Sequence, residues 1–282
     1  MANLVDILNS INIIINRKKQ LELLQKESEI TFSGVQCKLG INCLSNYELE
    51  KVLGSGAFGT VYTSCNKTNC DFATKIQKPD SSFRMEIDVI KKLNQDPRWN
   101  GVKLVYDTIC KGTCKDGMKD FGIMILDKWD GNITNQDKLI LDNFDTFINS
   151  LSQQIKVIHD IGYVHWDLLP KNVLYKAVGP RFSVTDFGAC RKETDEPYSP
   201  GYYGDYYFHP LHFQDVSYDL GITKDNIRNI TKDYKGIVDY FILYKYIKKY
   251  KKGEKVINEF IKILEKDGHK GINILKKHLN IL

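Results

Sequence analysis

The 282-residue sequence lacks the features that mark several classes of protein. No apolar run approaches the roughly 20 residues that a membrane-spanning helix needs, and there is no internal repeat or low-complexity linker. The net charge is only +5, from 40 Lys and Arg against 35 Asp and Glu, which is too small to indicate nucleic-acid binding. Residues 1–6 lack the basic flank of a signal peptide. We therefore expect a cytoplasmic protein with no membrane or nucleic-acid partner.

The number and spacing of the cysteines favour neither of their common structural uses. The chain has seven cysteines, and none has the C-x-x-C spacing of a common zinc site. An odd number in a chain of this length argues against a disulfide framework. Six of them lie in close sequence pairs: Cys37 with Cys43, Cys65 with Cys70, and Cys110 with Cys114. We expect reduced thiols, with a metal site or a redox-active pair as the alternative.

Five separated segments, in contrast, carry residues that together suit the transfer of a phosphoryl group. A glycine-rich stretch is followed by a lysine, a glutamate, a loop with the pattern D-x-x-x-x-N, and an Asp-Phe-Gly tripeptide. A glycine-rich loop alone would be weak evidence, but this order of segments is hard to obtain by chance. In chain order the segments are residues 54–61, residues 73–75, Glu86, residues 165–172 and residues 186–188.

The first three segments are predicted to hold a nucleotide. Glycines let backbone N–H groups approach phosphates, and Phe58 at the loop tip would exclude water. Lys75 would contact the α- and β-phosphates, with Glu86 as its partner and Asp88 as a weaker rival for that role. The predicted loop residues are Gly54, Ser55, Gly56, Ala57, Phe58 and Gly59. The predicted adenine pocket has Val61 and Ala73 as its roof and Leu174 as its floor.

The loop at residues 165–172 is the strongest single signal in the sequence. Asp167 is placed to accept the proton of an attacking hydroxyl group. His165 is expected to fix the loop structurally and to take no part in proton transfer. Asn172 would bind magnesium through its amide oxygen, because oxygen ligands are those that magnesium prefers.

The tripeptide at residues 186–188 is predicted to complete the metal site. Asp186 supplies a second hard oxygen ligand for magnesium. Gly188 is expected to provide the turn that orients Asp186, and Phe187 to pack against the helix that carries Glu86.

Hydrophobic periodicity divides the chain into a strand-rich part and a helical part. Residues 1–46 are predicted to form one or two amphipathic helices and a connector, which either packs on the main domain or serves as a regulatory or docking segment. Five antiparallel strands are predicted between residues 47 and 127, with a helix at residues 81–93 capped by Ser81 or Ser82. The later predicted helices are residues 144–161, 232–249, 254–266 and 272–281.

The order and context of the five segments resemble the eukaryotic-type protein kinase family. The resemblance covers residues 47–282 and is densest at residues 151–188. It implies a bilobal α+β fold, with an N-lobe at about residues 47–128 and a C-lobe at about residues 129–282. It also implies ATP and Mg2+ as cofactors and a protein hydroxyl group as the acceptor of the phosphoryl group.

The resemblance assigns roles to residues outside the motifs as well. Leu126, Asp127 and Trp129 would form the hinge that binds ATP, with Leu126 gating the pocket behind it. Asp233 would anchor the catalytic loop from the start of a helix. The implied partners are protein substrates, and the sequence leaves the oligomeric state open.

The sequence departs from the family pattern at several positions. Trp166 replaces the arginine that pairs with a phosphorylated activation loop, which predicts activity without such phosphorylation. Leu169 replaces the lysine of serine/threonine kinases, and Lys171 would supply the charge instead, as in tyrosine kinases. Residues 206–210 stand in place of the usual A-P-E box. This trimming, with abundant Ile, Asn and Lys, resembles the kinases of large DNA viruses.

Three functions are compatible with the sequence. The first is an active protein kinase, most simply one specific for serine and threonine. The second is a catalytically silent scaffold, suggested by the irregular substrate-docking region. The third is a small-molecule kinase of the choline or aminoglycoside type. Such kinases share the H-x-D-x-x-x-x-N loop with this chain, but its G-x-G-x-x-G loop and its Asp-Phe-Gly tripeptide argue against this class.

Overall fold

The computed structural model describes residues 9, 11–15, 28–56, 59–194, 235–251 and 256–278. These residues contain both strands and helices, in agreement with the predicted α+β class. They belong to two compact units, Met1–Phe83 with Lys103–Lys128 and Arg84–Val102 with Trp129–Leu282. The predicted domain boundaries after residues 46 and 128 stay predictions. Within the described part of the chain, no helix has the length and apolar character that crossing a bilayer requires.

The first unit is built around one sheet of seven strands. Their spatial order is β1-β2-β6-β7-β5-β4-β3, and all neighbours are antiparallel. The strands are β1 Ser28–Phe32, β2 Val35–Leu39, β3 Glu48–Gly56, β4 Gly59–Cys65, β5 Phe72–Gln77, β6 Leu104–Cys114 and β7 Gly117–Asp127. The last five correspond to the five predicted strands, although β6 and β7 extend further and form one long hairpin.

The hairpin β1–β2 corrects the prediction of five strands, because it lies in the region predicted as helices and connector. Buried Ile30 and Phe32 alternate with exposed neighbours along β1, which is the period of a half-buried strand. Ser33 and Gly34 have φ values of 50° and 79°, as the central residues of a type I′ hairpin turn require. This Ser-Gly pair was the available signal, but the helical periodicity of residues 4–15 outweighed it.

The helix predicted near the N-terminus is confirmed in part. Residues 9 and 11–15 are helical. The side chains of Ile11, Ile13, Ile14 and Ile15 are all exposed. The choice between a packed extension and a docking segment therefore stays open.

Three disulfides cross-link the first unit, so the prediction of reduced thiols is wrong. They are Cys37–Cys114, Cys43–Cys110 and Cys65–Cys70. The first two, which we call the long disulfides, join residues that are 77 and 67 positions apart. Their partners meet only when β2 pairs with β6, which places Cys37 opposite Cys114, and sequence proximity could not show this. Cys190, in the second unit, is a buried free thiol.

The N-terminal hairpin and the long disulfides belong to the hydrophobic core of the first unit. Ile30 and Phe32 of β1 pack in the same cluster as the inward residues of β4, β5 and β7. The rings of Phe32 and Phe121 meet edge to face at 5.2 Å. Tyr62 donates a hydrogen bond from its hydroxyl to the carbonyl of Thr31 at 3.4 Å. The hairpin thus covers one face of the sheet.

The second unit is mainly helical and carries two small sheets. Its helices are α1 Ser81–Gln95, of which residues 81–83 belong to the first unit, α2 Asp137–Asp142, α3 Phe144–Asp160, α4 Ile237–Tyr250, α5 Val256–Lys266 and α6 Ile272–His278. One sheet has the order β11-β10-β8, and the other pairs β12 with β9. These strands are β8 Gly131–Asn132, β9 Tyr163–Val164, β10 Val173–Lys176, β11 Arg181–Val184 and β12 Arg191–Lys192.

Helix α3 is the central element of this unit. Its buried apolar residues recur at helical spacing, as predicted. Its buried Gln154 side chain donates to the carbonyl of Phe182 at 2.9 Å and accepts from the amide of Val184 at 2.8 Å. Because a buried amide must find partners, these bonds fix strand β11 against the helix.

The cap of α1 differs from the prediction. The carboxylate of Asp80 accepts a hydrogen bond from the amide of Phe83 at 3.1 Å, so Asp80 caps the helix in place of Ser81 or Ser82. Helix α4 begins at Ile237, five residues after its predicted start. Residues 232–234 lie outside the described residues.

Candidate functional site

The glycine-rich segment forms the turn end of the β3–β4 hairpin in the first unit. Gly56 pairs with Gly59, while Ala57 and Phe58 lie outside the described residues. A Cβ atom added at Gly54 or Gly56 would meet no atom within 4 Å, so there is open space beside the backbone at both positions. Gly59 has a different role, because a Cβ atom there would lie 2.3 Å from the carbonyl oxygen of Ile76.

Strand register places four predicted nucleotide-binding residues on one face of this sheet. Val61 is directly opposite Lys75, and Ala73, two residues before Lys75, is opposite Leu126. Side chains of directly paired residues, and of residues two apart, share a face. The residues between them point the other way, and Tyr62, Ile76, Ile123 and Ile125 lie in the core. The sheet therefore presents an aliphatic surface with one lysine.

The three predicted hinge residues do not share an environment. Asp127 is the last residue of β7, at the open end of the β6–β7 hairpin. Its carboxylate accepts a hydrogen bond from the amide of Lys103 at 2.5 Å. Trp129 belongs to the second unit and is buried. Lys176 lies 5.3 Å and Arg181 lies 5.7 Å from the centroid of its indole ring. These cation–π contacts give Trp129 a packing role on the β10–β11 hairpin, and an ATP-binding role for it stays a prediction.

Glu86 and Asp88 on α1 occupy contrasting positions. Glu86 is only 3% exposed, and burial of a carboxylate requires a partner. Asp88 is on the surface, where its carboxylate accepts hydrogen bonds from Tyr163 and Lys92. Asp88 is thus engaged elsewhere, which leaves Glu86 as the predicted partner of Lys75.

Asp167 and Asn172 form a hydrogen-bonded pair within the catalytic loop. The amide nitrogen of Asn172 donates to the carboxylate Oδ2 of Asp167 and to its backbone carbonyl, both at 2.9 Å. The ammonium group of Lys171 lies 4.0 Å from the same Oδ2 atom. The other carboxylate oxygen of Asp167, Oδ1, is buried and accepts no hydrogen bond from the residues that the structure describes.

The catalytic loop is anchored by Asp239 of helix α4, a residue that the sequence analysis missed. The Asp239 carboxylate is fully buried and accepts from the amides of His165 at 2.8 Å and Trp166 at 2.9 Å. It also bonds to the imidazole of His159 at 2.9 Å. Asp233, which was predicted to anchor the loop, lies outside the described residues. The signal was a lone aspartate in the apolar run that opens α4.

His165 and Tyr246 hold the loop from two other sides. The imidazole of His165 bonds through Nε2 to the carbonyl of Thr185 at 3.0 Å, and its Nδ1 accepts from the amide of Asp167 at 3.2 Å. The hydroxyl of Tyr246 donates to the carbonyl of Leu168 at 2.9 Å. Both nitrogens of His165 are therefore used structurally, as expected, and the loop backbone is fixed around Asp167.

The tripeptide at residues 186–188 differs from prediction in its backbone. Asp186 itself has the left-handed conformation, with φ 63°, so the unusual turn lies at the aspartate and does not depend on Gly188. Phe187 is buried and its ring meets those of Trp99 at 6.1 Å and His165 at 5.5 Å. An aspartate accepts the left-handed conformation more readily than most residues.

The free thiol of Cys190 is buried and experiences the charges of three carboxylates of the second unit. Burial raises the pKa of this thiol well above its usual value, and Asp239, Glu86 and Asp186 raise it further by repulsion. Glu86 of α1 and Asp186 thus act electrostatically on the same thiol as Asp239, the anchor of the catalytic loop. These three charges come from distant parts of the chain.

The donor set of the second unit suits magnesium when phosphate completes the coordination. Among the described residues, no three His, Cys, Asp or Glu side chains form a metal-binding group. Asn172 uses its amide nitrogen toward Asp167, and the amide oxygen is the atom that a hard cation binds. Magnesium in phosphoryl-transfer sites takes one or two protein oxygens together with substrate phosphates and water. Asn172 and Asp186 fit that requirement.

Comparison with known proteins identifies a matching family and several relatives. The family described as protein kinase domain matches residues 47–219. A probable serine/threonine-protein kinase of Dictyostelium discoideum is 26% identical over 159 residues, which cover 52% of this chain and 30% of the relative. Human serine/threonine-protein kinase MRCK beta is 30% identical, over 54% of this chain and 9% of the relative. Human MAP kinase-activated protein kinase 2 is 28% identical, over 57% and 42%. The chain thus spans less than half of each relative.

Proposed function

This chain belongs to the protein kinase family, and on that basis we propose that it is an active enzyme that transfers the γ-phosphoryl group of ATP to a serine or threonine hydroxyl of a protein. ATP and magnesium are its proposed cofactors. The kinase activity is supported by the family match and by relatives that are named as serine/threonine kinases. The resemblance to kinases of large DNA viruses stays a prediction, since the relatives named above come from cellular organisms.

The buried carboxylate oxygen of Asp167 is the observation that carries the proposal. A buried acceptor without a donor costs free energy, and a catalytic role is one reason for a native protein to retain such a group. Here one oxygen of Asp167 is held by Asn172 while Oδ1 has no partner among the described residues. An acceptor held in this way is suited to accept a hydrogen bond from the substrate hydroxyl group, to orient it, and to take its proton during transfer.

The residues of the chain then have separable roles in the reaction. Asp167 accepts the proton of the substrate hydroxyl, and Lys171 adds positive charge beside it. Lys75 and the backbone amides near Gly54 and Gly56 hold the phosphates of ATP. Asn172 and Asp186 are the ligands for magnesium, which when bound neutralises charge on the phosphates. Asp239 acts on none of these groups directly and holds the loop that presents Asp167.

Replacing Asp167 by asparagine tests this assignment. The Asp167→Asn variant keeps the shape of the side chain but loses the base, so we expect phosphate transfer to fall by about a hundredfold or more. Transfer of radiolabelled phosphate from ATP to casein or to the protein itself would be measured. The exposed Asp120→Asn variant is the matched control and should keep its activity. Equal labelling by wild type and Asp167→Asn would refute the role of Asp167.

A peptide array with serine, threonine and tyrosine acceptors tests the choice of hydroxyl group. Leu169 and Lys171 leave that choice to experiment, because their arrangement also fits a tyrosine kinase. Labelling confined to tyrosine peptides would replace serine/threonine specificity by tyrosine specificity. ATP binding without transfer to any peptide would favour the catalytically silent scaffold, and transfer to amino alcohols would favour the small-molecule kinase.

A further inference from the structure

Helix α1, which carries Glu86, is joined to the strand before the catalytic loop by a cluster of three side chains. The cluster consists of Asp88 and Lys92, one turn apart on α1, and Tyr163 of β9. The hydroxyl of Tyr163 donates to the Asp88 carboxylate. Lys92 donates to the same hydroxyl at 2.8 Å and to the Asp88 carboxylate at 3.2 Å. All three side chains belong to the second unit.

Burial and charge indicate that Tyr163 is the central member of this cluster. The Tyr163 residue is only 2% exposed, whereas the Asp88 and Lys92 side chains are 49% and 44% exposed. A surface ion pair alone would contribute little, because solvent screens it. A buried hydroxyl that bonds to charged groups is a stronger and more directional link. Its hydrogen bond lowers the pKa of Asp88 and raises that of Lys92, so both remain charged at neutral pH.

The cluster also contacts the segment that follows Asp186. Strand β12 pairs with β9, and this pairing places Lys192 directly opposite Tyr163. The positive charge of Lys192 contributes to the lowered pKa of Asp88. One carboxylate on α1 is thus held beside the strand that leads into the catalytic loop and the strand that leaves the tripeptide.

The positions of these residues in the sequence show what the cluster can control. Asp88 is two residues after Glu86, and Tyr163 is four residues before Asp167. Residues two apart on a helix lie on different faces, so a contact at Asp88 fixes the rotation of α1 without touching Glu86. A rotation of the helix would move Glu86 and would break the bonds to Tyr163.

We propose that Tyr163 is a positioning residue for phosphoryl transfer, which acts through Asp88 and Lys92 to hold the helix that carries Glu86 in its active orientation. The inference rests on the proposed kinase function. In this arrangement the permanent carboxylate of Asp88 links α1 to the start of the segment after Asp186. The link requires no phosphate group.

Removal of the Tyr163 hydroxyl is the direct test. In Tyr163→Phe the ring and its packing are kept, so we expect kcat to fall about tenfold while KM for ATP changes little, the pattern of a lost positioning contact. Asp88→Asn should give a similar loss. The double variant should lose no more than about the larger single loss, because contacts that act as a unit are not additive. Unchanged kcat in Tyr163→Phe, or additive losses in the double variant, would overturn the proposal.

The chain offers a matched control in a second cluster of the same composition. Tyr250 donates to Asp137 at 2.7 Å, and Lys249 donates to the same carboxylate oxygen at 2.7 Å. This cluster joins α4 to α2 and does not involve α1 or the strands around the loop. Tyr250→Phe should therefore keep kcat. A fall in kcat equal to that of Tyr163→Phe would show a general loss of stability and would contradict a positioning role.

Hydrogen exchange separates this proposal from the proposed function. Amides of residues 84–95 should exchange faster in Tyr163→Phe than in wild type or in Tyr250→Phe, whether or not the protein transfers phosphate. If wild type transfers no phosphate but the exchange changes as expected, the kinase function fails and the structural link remains. If the exchange does not change, the link between Tyr163 and α1 is refuted.

Discussion

His269 shows how one buried side chain makes stability depend on pH. Its Nε2 bonds to the hydroxyl of Ser152 at 2.8 Å, and its Nδ1 bonds to the hydroxyl of Tyr240 at 3.1 Å. Tyr240 donates its own proton to the carbonyl of Lys270, so it must accept from Nδ1, and Nε2 then accepts from Ser152. This arrangement suits the neutral imidazole.

The pKa of His269 gives the direction and the pH window of its effect. Burial lowers that pKa from 6.5 to about 3; nearby His159 and Lys156 lower it further, while Asp160 opposes them. The unfolded chain therefore binds a proton between pH 6.5 and about 3 that the folded chain does not. Stability is complete above pH 6.5 and is lost as the pH falls through this window.

We expect acidification to destabilise wild type more than the variant His269→Gln, which cannot titrate. Between about pH 7.5 and about pH 5.5 the extra loss should be about 1.4 kcal/mol in the free energy of unfolding. Urea unfolding at the two pH values measures it, and comparison of the two differences cancels the other titrating groups. Equal losses in both proteins would show that His269 does not carry the effect.

At the scale of elements, the long disulfides cross-link strands and segments of the first unit that are distant in the sequence. They attach the β1–β2 hairpin and the segment after it to the end of the β6–β7 hairpin. The Cys43–Cys110 bridge lies within the loop that Cys37–Cys114 closes. Either bridge alone therefore restricts most of the same stretch of unfolded chain. The predicted cytoplasmic location stays a prediction. The disulfides argue against it, because structural disulfides are rare in reducing compartments.

Removal of the long disulfides should therefore cost more together than separately. We expect Cys37→Ala/Cys114→Ala to lose about 3 kcal/mol of unfolding free energy, because the second bridge remains. Removal of both should cost about 7 kcal/mol, since the full loop is then open in the unfolded state. Urea unfolding of these two variants and of Cys43→Ala/Cys110→Ala, which should also lose about 3 kcal/mol, measures the losses, with removal of Cys65–Cys70 as a local control. Additive losses would contradict nesting as the cause.

The sequence predicted elements well where pattern and local chemistry agreed. The apolar stripe of α3 and the strands around the glycine-rich hairpin were found because their periods of 3.6 and 2 are clear. The β1–β2 hairpin was missed because its contacts are with β6, almost 80 residues away, and a five-residue strand carries little periodic signal. The partners of the long disulfides were missed for the same reason.

The candidate site shows the same division between local and distant information. Asp167, Asn172 and Asp186 could be proposed from the sequence because their spacing is a local pattern, and their roles stay predictions. Asp239 could not be assigned, because its role depends on α4 bringing a carboxylate to the amides of His165 and Trp166. The contact of Tyr163 with α1 also joins residues that are about 70 positions apart.

At the scale of the whole molecule, activity should not depend on phosphorylation of the segment after residue 186. Trp166 cannot form the charged hydrogen bonds to phosphate that an arginine makes, and its buried side chain lies on a loop that Asp239 already holds. The Asp88 carboxylate supplies a permanent negative charge near Lys192. We therefore expect contacts built into the chain to take the place of those that a phosphate group would provide.

We therefore expect protein treated with phosphatase to keep the initial rate of mock-treated protein. Mass spectrometry would verify removal of phosphate, and the phosphatase would be removed before ATP is added, so that phosphate on the substrate is not lost. Because self-phosphorylation during the assay could restore activity, the rate must be linear from the first time point. A lag that shortens on preincubation with ATP, or loss of activity after treatment, would show that the built-in carboxylate does not substitute for a phosphate group.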